Sequence, residues 1–222
     1  MQPAVHSNPG ADSGFSARST RRHRPRNRRL HHHEFARSHS GRPLHYAIVT
    51  TPANHHRLEE IQASTRQLVL PHDLTRAEAE SISRELPCTA WFGYGIHGDE
   101  TTASDGALGF LYFLAASTSS QVQNWLQETV VLIIPTLNPD GCARYLNAVE
   151  KIQSVHGNVD DRDVQNRGDW PGGRTNHYLF DLNLDWIYGV HPEVRGAIQL
   201  FDKWEPQVAI DGHEMGSRDT FL

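Results

Sequence analysis

Strand-like apolar runs alternate with helically spaced apolar residues along most of this chain, and that order restricts the folds open to it. Leu44 to Thr51 reads as a strand. Asn54 to Leu68 reads as a helix, with Leu58, Ile61 and Leu68 on one face. Thr75 to Glu85 reads as a second helix, because Thr75 followed three residues later by Glu78 is a capping box. A strand from Thr89 to Ile96, a helix from Thr101 to Ala116 and a short helix from Ser120 to Gln127 follow. Val130 to Thr136 is apolar enough for a buried strand, and Asn138-Pro139-Asp140-Gly141 after it has strong turn chemistry. Lys151 to Gly173 is polar and reads as a long loop, a length usually kept for function. Pro192 to Trp204 reads as a helix whose Glu193, like Glu205 just beyond it, is expected on a solvated face; it feeds a strand from Gln207 to Gly212. Such alternation predicts an α/β domain with a largely parallel sheet.

The chemistry-bearing residues fall just past strand ends, where parallel sheets place their sites. His97-Gly98-Asp99-Glu100 delivers an imidazole and a carboxylate three residues apart, a pairing suited to zinc. The pattern is short and recurs by chance, so a third ligand must be found elsewhere. His213, at the end of the last strand and within Gly212-His213-Glu214-Met215-Gly216, fits that place. Glu214 beside it faces the other way on an extended segment and makes a poor general base.

Taken in order, HGDE, NPDG, GRTN followed by DLN, and DGHEMG resemble the zinc metallocarboxypeptidases of the carboxypeptidase A type, peptidase M14. The resemblance covers Gly41 to Leu222. It implies a mixed, largely parallel sheet with helices on both faces. It also implies one Zn2+ held by His97, Glu100 and His213, with Asp181 hydrogen-bonded to the first histidine. Asn183 matches an asparagine that binds the substrate's terminal carboxylate. Arg144 and its rival Arg174 are candidates for the arginine that stabilises the oxyanion. The implied activity is peptide hydrolysis by a zinc-activated water, on a peptide or protein substrate.

Two departures qualify this. The residue after Asn183 is Leu184, where the family has an arginine that clamps the substrate carboxylate. The family's general-base glutamate would lie beyond Leu222, so the chain is expected to be part of a longer enzyme, inactive and marginally folded alone, with its last strands missing. A catalytically inactive zinc-binding homologue and a zinc deacylase of the aspartoacylase or succinylglutamate desuccinylase type are the alternatives.

Charge divides the chain. Residues 1 to 42 carry nine arginines against Asp12 and Glu34, a formal +7, whereas the remainder carries −12. Residues 1 to 40 are expected to form a disordered basic tail, or a mis-started reading frame, ahead of a catalytic domain over 41 to 222. A transit peptide fits the tail's composition, but a secretory signal does not, because an apolar h-region is lacking. Relatives in such a family are often secreted or periplasmic, and the compartment of this chain stays open. No nucleic-acid partner and no membrane span are expected, and the oligomeric state is open. Cys88 and Cys142 make no disulfide framework and read as buried thiols.

Overall fold

The computed structural model describes residues 29–72, 74–157, 159–160, 163 and 170–215. Strands β1 (Leu30–Arg37), β2 (Pro43–Val49), β3 (Cys88–Tyr94), β4 (Thr129–Ile134) and β5 (Val208–Gly212) form one sheet in the order β1-β2-β4-β3-β5. β1 pairs antiparallel with β2, and β2 with β4; β4, β3 and β5 are parallel. The sheet is thus mixed, as expected. Helices α1 (Pro52–His55), α2 (Leu58–Val69), α3 (Arg76–Glu85), α4 (Thr101–Ala116), α5 (Ser120–Glu128), α6 (Pro139–Ile152) and α7 (Pro192–Trp204) surround it. No helix among the described residues is long and apolar enough to cross a membrane.

β4 sets the two cores. Its side chains alternate between faces, as any strand's must. Val130, Leu132 and Ile134 join Ile61 of α2 and Val194, Ala197, Leu200 and Trp204 of α7. Val131 and Ile133 meet Ala107 and Leu114 of α4 and Val122 and Leu126 of α5. A strand covered on both faces needs an unbroken apolar run, and β4 has one.

Three expectations are corrected. The basic segment does not stay unstructured to residue 40: Leu30–Arg37 form β1, paired along its length with β2. Its polarity misled because an edge strand draws its stability from backbone pairing and exposes much of its surface. His31 stacks on His55 and His33 on Tyr46, so the histidine run lies along the sheet edge. The rest of the expected tail, residues 1 to 28, lies outside the described residues. Asn138-Pro139-Asp140-Gly141 is no simple turn either. Asn138 caps α6, accepting from the Gly141 N–H, and Pro139 occupies the first turn. Glu193, expected in solvent, is fully buried. Cys88 and Cys142 are free thiols that burial pushes upward in pKa.

Asp140 fastens the β1–β2 corner to α6. It accepts from Ser38 Oγ at 2.8 Å, the Ser40 N–H at 3.0 Å and the Arg42 guanidinium at 2.7 Å. Burial works to raise its carboxyl, but these donors outweigh it and hold the group below the usual carboxylate range. A carboxyl depressed on folding adds stability that is complete above its unfolded pKa, about 3.9. That stability is lost as pH falls through the lower folded-state value. In urea unfolding, the gap between wild type and Asp140→Asn is therefore expected to narrow below about pH 4. A gap that stays constant with pH would remove this account.

Candidate metal centre

The site lies over the carboxyl ends of the parallel strands. Tyr94, the last residue of β3, pairs with Gly212, the last of β5, so the segments that follow emerge side by side. β3 runs on through Gly95 and Ile96 to His97, and a tight turn then brings Glu100 to the start of α4, its N–H bonding the His97 carbonyl at 3.3 Å. β5 delivers His213 directly. The two imidazole rings come within 4.8 Å, centre to centre.

Glu100 is the hub. Its Oε1 lies 2.7 Å from His97 Nδ1 and its Oε2 lies 3.0 Å from His213 Nδ1. The outer nitrogens face other carboxylates: His97 Nε2 is 3.1 Å from Asp181 Oδ1, and His213 Nε2 is 3.3 Å from Asp211 Oδ2. A proton on His97 Nε2, facing Asp181, would leave its Nδ1 lone pair directed inward beside the Glu100 carboxylate, and Asp211 sets a negative charge against the outer nitrogen of His213. His97, Glu100 and His213 thus present two nitrogens and a carboxylate within 4.8 Å of one another, the donor set a catalytic zinc takes. The surrounding acids also give the dication a charge to balance. The residues fit the ion.

Asp181 holds its place through several bonds. Burial acts to raise its carboxyl, yet the Asn183 N–H, the Arg174 guanidinium and His97 prevail and keep it below the ordinary range. It therefore stays ionised against His97. Asp211 lies within ion-pair distance of His213 without a hydrogen bond to it and was missed in the sequence; its mark there is a carboxylate two residues before a histidine at a strand end.

Glu214 turns away from the triad. Its Oε2 accepts from Thr102 Oγ1 at 2.6 Å and from the Thr102 N–H at 3.2 Å, completing the amino end of α4. The Glu214 N–H in turn donates to Glu100 Oε2 at 3.0 Å.

The two arginine candidates part company here. Arg144, on α6, bonds the carbonyls of Gly172, Thr175 and Asn176 at 2.5, 2.6 and 3.1 Å, using all three guanidinium nitrogens. It clamps the loop carrying Arg174. Arg174 Nε donates to Asp181 Oδ2 at 3.0 Å, and its Nη1 is 3.9 Å from Glu100 Oε1, with the side chain half exposed. Asn183 lies beside it, half-buried, in a 3₁₀ turn over Leu182–Leu184. Leu184 itself is 64% exposed, so no core packing requires a leucine there.

Backbone contact joins the motifs. Gly98 lies so close to Gly141 and Cys142 that a Cβ on it would overlap their main-chain atoms, and a Cβ on Gly141 would overlap the carbonyls of Gly173 and Thr175. Asn138 Nδ2 also donates to the Arg174 carbonyl at 3.1 Å. HGDE, NPDG and GRTN are therefore one packed unit.

Residues 20–216 match a family model described as zinc carboxypeptidase. The chain is 29% identical over 146 residues to probable carboxypeptidase 2 of Trichophyton verrucosum (strain HKI 0517), covering 63% of this chain and 21% of that protein. It is 28% identical over 154 residues to carboxypeptidase 2 of Trichophyton rubrum, covering 64% and 22%. The chain thus spans about a fifth of the length of these curated relatives. The structure of a metallo-carboxypeptidase from Burkholderia cenocepacia matches with a TM-score of 0.52 at 18% identity, covering 83% of this chain and 36% of that one. A metallo-carboxypeptidase from Pseudomonas aeruginosa matches with a TM-score of 0.50 at 17% identity, covering 83% and 35%. At such identities the structural likeness speaks for the fold.

Proposed function

Because this chain belongs to the zinc carboxypeptidase family, we propose that it carries the metal-binding part of a zinc-dependent metallocarboxypeptidase site. The observation that supports this most is the convergence of His97 Nδ1 and His213 Nδ1 on the two oxygens of Glu100. Zinc bound there supplies Lewis acidity, polarising a scissile carbonyl and acidifying a water. The chain's own residues do the rest of the positioning. Asp181 holds the His97 imidazole with its Nδ1 inward, and Asp211 sets a negative charge beside the outer nitrogen of His213. Arg174, half exposed although its Nε donates to Asp181, is the proposed donor to the oxygen that gains charge as the peptide carbonyl is attacked. Asn183 is the residue proposed to bind a terminal carboxylate. Arg144 acts only through the loop it clamps.

Of the carboxylates near the triad, Asp181 is bonded to His97, Asp211 lies against His213 and Glu214 is bonded to the end of α4. That commitment, with Leu184 in place of a clamping arginine, favours a second reading, a zinc-binding homologue without turnover.

One experiment separates the readings. Zinc retention after gel filtration and cleavage of blocked peptides, with free or amidated C-termini, are measured for the wild type and for His213→Ala. The proposal expects tight zinc at the triad and cleavage of the free-acid peptide, both lost in His213→Ala. Zinc without cleavage of either peptide selects the second reading. A His213→Ala chain that keeps every tightly bound zinc sinks both.

A further inference from the structure

A second constellation stands apart from the triad, where the turn after β1 meets the start of α7. His39 follows β1, His191 is the cap residue of α7, and Glu193 sits in the first turn of that helix. His39 Nε2 lies 3.0 Å from His191 Nδ1, and a ligand atom from each of the three residues lies within 4.8 Å of the others.

The hydrogen bonding here does not close on itself. Asn176 Oδ1 accepts from the N–H groups of Tyr178 and Phe180, so its amide nitrogen must face His191, 3.0 Å from Nδ1. His191 Nδ1 therefore offers a lone pair, and both Asn176 and His39 approach that one acceptor. Glu193 has the opposite shortage. It is fully buried, its Oε1 accepts only a long bond from the His39 N–H at 3.3 Å, and its Oε2 is buried without a partner. A carboxylate taken out of water and left so poorly matched is costly, and a cation is the partner that would offset it.

We propose that His39, His191 and Glu193 form a second divalent-metal site, selective for zinc and similar imidazole-preferring ions. Two nitrogens bound at about 2.0 Å in tetrahedral geometry lie about 3.3 Å apart, so the observed 3.0 Å needs to open by only a few tenths. His39 is exposed and can make that movement. Asn176 yields its share of the His191 lone pair to the ion. The amino end of α7 disfavours a cation, which the Glu193 carboxylate offsets. Tyr178 packs edge-on against His39 and Phe180 against His191, walling the site on one side and leaving the fourth position to water. The ion would staple the β1–β2 corner to the helix that leads into β5, across 152 residues of sequence. This holds whether or not the triad is a peptidase site.

The test is a zinc count on tag-free, full-length chain after passage over a chelating resin, for wild type, His39→Ala, His213→Ala and the double variant. Because His39 is exposed, its loss leaves the core packing in place, which circular dichroism verifies. The two sites predict two ions in wild type, one in each single variant and none in the double. Zinc should also raise the melting temperature of His213→Ala, and that rise should vanish when His39→Ala is added. A His39→Ala chain with the wild-type count overturns the second site. A His213→Ala chain with the wild-type count, beside a reduced His39→Ala, sinks the triad reading and leaves this one standing.

Discussion

The Gly98→Ala chain is expected to lose its stable folded state, although the change adds a single methyl group. That methyl would overlap the main-chain atoms of Gly141 and Cys142, which begin α6. Main chain cannot rotate aside as a long side chain can, so either α6 or the HGDE turn must shift bodily. Overpacking against side chains costs about 1–3 kcal/mol. A backbone collision at the crossing of two motifs belongs with the exceptional changes above about 4 kcal/mol. Against a total stability of about 5–15 kcal/mol, that is enough to unfold much of the population. The check is the urea midpoint, followed by zinc retention on whatever remains folded. A Gly98→Ala midpoint equal to that of wild type would show that the two turns are not in main-chain contact.

The second large effect concerns Glu100. Glu100→Gln keeps the shape of the side chain but removes its charge and converts one oxygen into a donor. Glu100 faces both inward nitrogens of the triad, so no neighbour can replace it. Asp181→Asn, by contrast, removes only a support behind His97. Loss of such a support typically lowers metal affinity about 10- to 100-fold. Glu100→Gln is expected to bind zinc at least about ten times more weakly than Asp181→Asn, since it loses a ligand itself. Competition against a chromophoric chelator ranks the two variants. The reverse order would mean that Glu100 is not a ligand.

The residues differ in how legible they were. His97, Glu100 and His213 could be read because each follows an apolar run at a fixed short offset, and strand runs are local patterns. β4 was plain for the same reason. β1 was not, because its histidines and arginines are tolerated by an edge strand whose stability comes from pairing with β2, a non-local fact. Asn138-Pro139 serves equally as a turn and as the opening of a helix, and only the helix that followed decided it. Arg144 and Arg174 both sit near the motifs in sequence. What separates them is the direction of the guanidinium, which depends on the path of a loop some thirty residues further on. Glu193 looked like any helix-surface acid until α7 packed its first turn under the β1–β2 corner.

The pairing of β5 with β3 carries a kinetic meaning. Gln207 and Thr89, which open that pairing, are 118 residues apart, whereas β1 and β2 join across a short turn. Contacts between distant segments form late, because a long loop must first be closed. His213 arrives only with β5, so His97 and Glu100 wait in place for their third partner. In a refolding experiment, tight zinc uptake at the triad would therefore trail the recovery of helix and hairpin signals, and metal capture would serve as a clock for the closing step of folding.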